Sequence, residues 1–126
     1  MNVTKGLIID TSHIDRILAG EKTWEMRSTA TKQRGRIALI RKRSGTIVGT
    51  VNLVDSVGPL TREQMLKNFT KHCVCEDRIQ NGLVDKWPYA WVMNDAVGLN
   101  SPLPYRHPLG AVMWITLDEG VADSLN

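Results

Sequence analysis

The chain of 126 residues is 42% hydrophobic and 23% charged, a composition typical of one soluble globular domain. Its formal net charge of +3 is compatible with an anionic partner. No apolar run is long enough to cross a bilayer, and the first ten residues lack the pattern of a signal peptide. We therefore expect a bacterial or phage protein of the cytoplasm with no membrane partner.

The first part of the chain predicts a strand followed by a short helix. The apolar run 6–10 is typical of a strand. Ile14, Ile17 and Leu18 then recur at helical spacing, and Gly20 is a suitable residue for ending that helix.

The segment 23–27 alternates polar with apolar side chains. This two-residue period predicts a strand with Glu25 and Arg27 on one solvated face, directly after Lys22. One interpretation is a surface ion pair. The other is a cleft, where a partly desolvated Lys22 acts as a base or all three side chains hold a nucleotide. Arg27 would then bind a phosphate, and Glu25 would accept from an exocyclic amine such as that of cytosine.

Two further strands and a second helix follow. The segments 36–43 and 46–57 predict a hairpin, with a bulge or a close backbone approach at Gly49. Thr61 and Gln64 have the spacing of a capping box, which predicts that the second helix begins there.

The remaining third is less regular. We expect an irregular or weakly helical stretch at 73–88, a strand at 89–99, a proline-rich loop at 101–108 and a final strand at 109–117. The tail 119–126 has few apolar residues to anchor it and is expected to be flexible.

The predicted order is β-α-β-β-β-α-β-β, with about six short strands and two or more short helices. This order indicates an α+β domain over residues 1–118, built as a small, mostly antiparallel β-barrel with flanking helices. A parallel doubly wound sheet fits poorly, because the predicted helices do not separate successive strands.

Seven basic side chains lie between Glu25 and Asp55, with no acidic residue among them. Such a stretch produces a local positive field. It indicates either a surface that follows the phosphates of RNA or a solvated surface that binds nothing. The seven residues are Arg27, Lys32, Arg34, Arg36, Arg41, Lys42 and Arg43.

Aromatic and histidine side chains supply further candidates. Tyr89 and Trp91 share one face of their predicted strand, where one or both could stack on a nucleobase or pack beneath the helices. His107, in the proline-rich loop, could border a cleft and act in acid/base chemistry. His13 is expected to be exposed, and His72 to cap the end of the second helix.

Cys73 and Cys75 are too close in sequence for an ordinary structural disulfide. A single C-x-C is a weak zinc signal, even beside His72. Reduced thiols are the favoured interpretation, and we expect neither a metal nor a cofactor.

The pattern G-x-K-x-x-E-x-R, formed by Gly20, Lys22, Glu25 and Arg27, resembles the signature of the ASCH domain family. The later segments YAWVMNDA and HPLGAVMWIT resemble the family's aromatic strand and closing strand. The resemblance therefore covers nearly the whole chain, in the right order.

This resemblance implies a PUA-like β-barrel, a fold shared with RNA-binding and RNA-modifying domains. It also implies RNA or a modified nucleoside as the partner. Some bacterial members are small amidohydrolases that remove the acetyl group from acetylated cytidine, and another small bacterial member is described as a ribonuclease. Whether this chain is a binding protein or an enzyme stays open.

The amidohydrolase members imply a lysine, a threonine nucleophile and a glutamate. Lys22 matches the lysine, and Glu76 matches the glutamate by its offset from the K-H pair at 71–72. Glu25 occupies the position of the threonine, so the nucleophile is missing. The resulting catalytic candidates are Lys22, Glu25 and Glu76. The nucleic-acid-binding candidates are Arg27, Arg34, Arg36, Arg41, Lys42, Tyr89, Trp91 and His107.

Overall fold

The computed structural model describes residues 3–126, so the first two residues of the predicted domain lie outside the described part of the chain. Six strands and five short helices follow one another along the chain. Their bounds are β1 (Lys5–Ile9), α1 (Thr11–Leu18), β2 (Trp24–Arg27), β3 (Gly35–Arg41), β4 (Thr46–Val57), α2 (Arg62–Lys67), α3 (Phe69–His72), α4 (Glu76–Gln80), β5 (Tyr89–Pro104), β6 (Trp114–Thr116) and α5 (Glu119–Ser124).

The strands form one curled sheet, a half-barrel, with the order β2-β5-β4-β3-β1-β6. Only β1 and β3 pair in parallel, and every other described pair is antiparallel. The curl brings β2, at one edge, back to β1 near the other edge, where Arg27 Nη2 donates to the carbonyl of Ile8 at 2.9 Å. The predicted α+β, mostly antiparallel architecture is confirmed.

Strand β4 has the predicted bounds, and its hairpin with β3 is confirmed. The register of β4 shifts between Ile47 and Gly49, which is the predicted irregularity. Gly49 is also a point of close approach: a Cβ there would meet a methyl group of Leu18 and lie 2.7 Å from the carbonyl oxygen of Val97. The missing side chain therefore lets α1 pack directly onto the sheet.

We expect Gly49→Ala to lower the free energy of unfolding by about 2 kcal/mol, because the backbone oxygen of Val97 cannot move away cheaply. Gly98 pairs with Gly49 across the β4–β5 ladder, and a Cβ there would meet nothing within 4 Å. Gly98→Ala is therefore the matched control and should leave stability unchanged or slightly raised. Urea unfolding of the two variants measures the difference, and equal midpoints would contradict this account.

Two strand predictions near the end of the chain are wrong. Strand β5 continues through the predicted loop to Pro104, which pairs with Thr46. Prolines are tolerated here because β2 pairs only as far as Val92, so the other side of β5 has no strand partner beyond that point. Strand β6 is shorter than predicted and covers only Trp114–Thr116.

The C-terminal segment also differs from its prediction. It forms α5, in which Ala122 is buried against the sheet cluster that contains Ile115. The side-chain oxygen of Asn126 accepts a hydrogen bond from the backbone N–H of Val3 at 3.0 Å. A few small apolar contacts and this long-range hydrogen bond anchor the segment to the sheet. Its composition alone predicted flexibility.

The predicted second helix is divided at Asn68 into α2 and α3. Its capping box is confirmed, since Thr61 Oγ1 accepts from Gln64 N and Gln64 Oε1 accepts from Thr61 N. These helices and α4 pack around Met65, Ile79 and Val84, a cluster separate from the core beneath the sheet. In the described part of the chain, none of the helices has the length and apolar character needed to cross a membrane.

Candidate functional site

A cavity of about 290 Å³ lies where the curled sheet meets the segment that carries α3 and α4. One part of its wall is apolar and includes Met26, Val84 and Trp87. The rest is charged, and the charged side chains come from elements far apart in the sequence. They are Asp10, Lys22, Glu25, Arg27, Lys42 and Arg78.

Glu25 and Arg27 share one face of β2, as their alternation predicted. Arg27 Nε and Nη2 donate to Glu25 Oε2 at 3.2 and 2.9 Å. The face is not solvated, however, because Glu25 is only 5% exposed. The pair is therefore a covered one, and the interpretation as a surface ion pair does not hold. Removing one partner would leave the other charge desolvated.

Lys22 is a buried lysine at the floor of the cavity, with 2% of its surface exposed. Gly20 adopts a φ of 79° after α1, and the chain then turns so that Lys22 points inward. Its Nζ donates to the carbonyl of His72 at 2.6 Å and lies 4.0 Å from Glu25 Oε1. Burial lowers the pKa of Lys22, while the carboxylate of Glu25 acts in the opposite direction.

His72 is completely buried and fixes the turn that holds Lys22. Its Nδ1 accepts from the backbone N–H of Val74 at 2.9 Å, so the ring proton lies on Nε2, which donates to the carbonyl of Met65 at 2.6 Å. Cys73 follows in the left-handed region with a φ of 59°. Both ring nitrogens are therefore used inside the protein. His72 lies at the end of α3, as expected for a cap of the predicted second helix, but it acts as a buried structural support.

His13 was expected to be exposed, but it is partly buried and lines the cavity. Burial is the main reason that its pKa is lowered, while the negative charge of Glu25 raises it and the positive charge of Lys22 lowers it further. The sequence signal for this placement is weak: His13 lies in the first turn of α1, directly after β1, at the end of β1 that borders the cavity.

The basic stretch does not form one continuous surface at the cavity. Of its members, Arg27 and Lys42 line the cavity. Arg34 lies 3.8 Å from Asp55, Arg41 donates to Asp15 at 2.7 Å, and Arg36 binds Thr50 together with the carbonyl of Asp95. The acids that were absent from this stretch of sequence are thus supplied by other elements of the fold, which neutralise much of its charge.

The other three binding candidates lie outside the cavity lining. Trp91 is 1% exposed, stacks on Trp114 at a centroid distance of 5.7 Å and donates to the carbonyl of Thr29, so the alternative of core packing applies to it. Tyr89 is partly buried against the same core. His107 is an internal brace of its loop, since its ring nitrogens contact the hydroxyl of Tyr105 and the carbonyl of Ala111.

Glu76 also lies outside the cavity. It begins α4, is exposed and borders a separate groove. Arg78, two residues later, lines the cavity instead. Residues two apart on a helix point in nearly opposite directions, so α4 cannot present both side chains to one site.

Within residues 3–126, no group of three or more His, Cys, Asp or Glu side chains is placed to hold a metal ion. Cys73 and Cys75 are free thiols. The cavity itself presents cations, carboxylates, an imidazole and an indole.

The curled sheet and its flanking helices form an α+β domain whose architecture is consistent with a PUA-like fold. The chain belongs to the ASCH domain family, whose model matches residues 7–102. The resemblance that the sequence motifs indicated is thus confirmed.

Solved structures agree with this assignment. The crystal structure of ASCH from Zymomonas mobilis matches 96% of this chain and 92% of its own, with 14% identity and a TM-score of 0.71. Two point variants of the Zymomonas mobilis protein match at TM-scores of 0.70 and 0.69, with 14% and 15% identity, 96% and 99% of this chain and 94% and 96% of theirs. At such identities the likeness concerns the fold alone. No curated protein matches the chain.

Proposed function

We propose that the protein binds RNA or a modified nucleoside and holds one nucleobase in the cavity. The observation that carries this proposal is the state of Glu25. Its Oε2 is occupied by Arg27, whereas Oε1 accepts no hydrogen bond from any residue in the described part of the chain. Among the described residues no side-chain oxygen is both fully buried and without a partner, so Oε1 keeps its small exposure toward the cavity. A carboxylate oxygen in this position can accept from a ligand, and an exocyclic amine of a base is a suitable donor.

Lys22 supplies the complementary group. One of its three N–H bonds is used by the carbonyl of His72, and Nζ lies 4.0 Å from Glu25 Oε1. An acceptor at Glu25 beside a donor at Lys22 matches the Watson–Crick edge of cytosine, which places an amine donor next to acceptor atoms. Uracil has an acceptor where cytosine has its amine, so the same carboxylate would repel it.

The walls of the cavity suit a flat aromatic ring. Trp87 and Met26 provide apolar surface beside the charged floor. The volume of about 290 Å³ is at the small end of the range of about 300–1,000 Å³ for ligand sites. A single base flipped out of a strand therefore fits this size better than a folded RNA element does.

The test is the affinity for cytidine relative to uridine, measured by titration calorimetry. We expect cytidine to bind about tenfold more tightly, the effect of one well-placed base contact. Glu25→Gln should reduce that ratio to about threefold or less, since an amide can donate as well as accept. Glu76→Gln is the matched control and should keep the parent ratio, because Glu76 is exposed and outside the cavity. Equal affinities in the parent protein would contradict the assigned role of Glu25.

A hydrolase at the same cavity is the second candidate. The observation in its favour is the buried Lys22 with its lowered pKa, 4.0 Å from a carboxylate. Such a lysine is a suitable general base. Because no threonine nucleophile is available at the position of Glu25, the base would have to activate water. Turnover of acylated cytidines or of a short single-stranded RNA tests this candidate.

A further inference from the structure

The four cations that line the cavity differ in how many of their donors the protein already uses. Lys22 is held by the carbonyl of His72, and Arg27 is held by Glu25 and the carbonyl of Ile8. These two side chains are buried or nearly so, at 1% and 15% exposure. They are therefore fixed, and rotating either one toward an anion would break bonds that the fold depends on.

Lys42 and Arg78 are different. Arg78 is exposed and lines the cavity, and its guanidinium has no ion-pair or hydrogen-bond partner among residues 3–126. Lys42 has 49% of its side chain exposed, and its partner Asp10 is 3.4 Å away and 58% exposed. An exposed pair of this kind contributes little and exchanges readily. Both cations thus line the cavity with donors to spare.

The charge of the cavity also favours an anionic ligand over a neutral one. Its lining contains four cations and two carboxylates, which leaves two positive charges in excess when Lys22 is protonated and His13 is neutral. A nucleobase compensates none of this excess. An anionic group joined to the base would compensate it, and it would do so at the mobile cations rather than at the fixed ones.

We propose that Lys42 and Arg78 hold a phosphate joined to the nucleoside whose base occupies the cavity. This inference rests on the proposed function and narrows it: the ligand is a nucleotide or a nucleotide within RNA, rather than a free nucleoside. It also assigns the phosphate to residues other than Arg27, whose Nε and Nη2 are committed to Glu25 and Ile8. The paired donors of Arg78 suit a phosphate, and Lys42 adds a second charge.

Titration calorimetry can separate the sources of phosphate. The ligands are cytidine, cytidine 5′-monophosphate, cytidine 3′-monophosphate and a cytidylyl dinucleotide with an internal phosphodiester. We expect at least one phosphorylated ligand to bind about tenfold or more tightly than cytidine, a gain in the range of a charge-assisted pair. The ligand that shows the gain identifies whether a terminal or an internal phosphate is recognised.

The variant Lys42→Ala/Arg78→Ala should lose this gain and keep the parent affinity for cytidine. Lys67→Ala/Arg106→Ala is the matched control, because it also removes one exposed lysine and one exposed arginine. Like Lys42, Lys67 forms an exposed ion pair, in this case with Glu63. The control should keep the gain. If all four ligands bind the parent equally, or if the first variant keeps the gain, the phosphate assignment is overturned while base binding stands. If none of them binds, the proposed function fails as well.

Discussion

Replacing His72 with alanine is expected to lower the free energy of unfolding by about 3 kcal/mol, a large part of the stability of a domain this small. The imidazole is completely buried. Its loss would leave a void, deprive the N–H of Val74 of its partner and remove one of the two hydrogen bonds to the carbonyl of Met65, which keeps the N–H of Asn68. The carbonyl of His72 itself would lose its fixed position, so Lys22 should lose its anchor too. Urea unfolding at pH 7.5 measures the effect.

The same residue should make stability depend on pH. Burial lowers the pKa of His72 below its ordinary value of 6.5, and the charge of Lys22 lowers it further. Below pH 6.5 the unfolded chain therefore takes up a proton that the folded chain does not. The stability is fully present above 6.5 and is lost as the pH falls from there through the lowered pKa of the folded state.

Measuring stability at pH 7.5 and at 5.5 separates the histidines from the aspartates, because the lowered pKa values of Asp15 and Asp85 act only below their ordinary 3.8. His13 contributes in the same direction as His72, since burial lowers its pKa too. His72→Gln and His13→Gln should therefore each lose less stability than the parent over this interval. A loss of stability in His72→Gln equal to that of the parent would contradict the lowered pKa of His72 in the folded protein.

The arrangement of the candidate site residues on β2 is predictable because alternation is a local property. Two-residue periodicity alone places Glu25 and Arg27 on one face. It cannot show whether that face is covered, since the cover comes from residues 72–87, about fifty positions further along the chain. The burial of Lys22 depends on its hydrogen bond to the carbonyl of His72. The sequence near Lys22 cannot predict this contact, because the two residues lie far apart in the chain.

The basic stretch shows the opposite situation. Its lack of acidic residues is a true feature of the sequence, yet Arg41 and Lys42 meet Asp15 and Asp10 in the fold. Parallel pairing of β1 with β3 brings Asp10, which precedes α1, and Asp15, within α1, beside the end of β3. Charge counted along the chain therefore overstated the free positive surface.

The errors in secondary structure have the same cause. The prolines at 102 and 104 are local signals for a loop, but pairing of β5 with β4 extends the strand through them. Residues 119–124 have a weak helical pattern, and contacts with the sheet stabilise the helix there. Strong local signals such as the capping box at Thr61 predict the structure correctly, because both partners lie within one turn of the helix.

Lys22→Met is expected to lower the affinity for cytidine by about 30-fold or more. Methionine keeps the apolar stem of the side chain but removes the donor beside Glu25, and truncating one partner of a buried charged contact costs about 2–5 kcal/mol in binding. Stability should fall by about 1–3 kcal/mol, because the carbonyl of His72 loses the hydrogen bond from Lys22, whereas Glu25 keeps Arg27 as a partner. Calorimetry and urea unfolding give the two quantities separately.

Lys71→Met is the matched control: Lys71 is exposed and lies over the ring of Trp24, outside the cavity lining. It should bind cytidine as the parent does. If Lys22→Met binds cytidine within threefold of the parent, the amine of Lys22 is not part of the recognition site. Lys22→Arg then separates the two candidate functions, since arginine keeps the charge and hardly ever deprotonates. A binding protein should retain measurable affinity in this variant. A hydrolase that uses Lys22 as its base should lose turnover, and turnover that survives in Lys22→Arg would remove lysine-base catalysis from consideration.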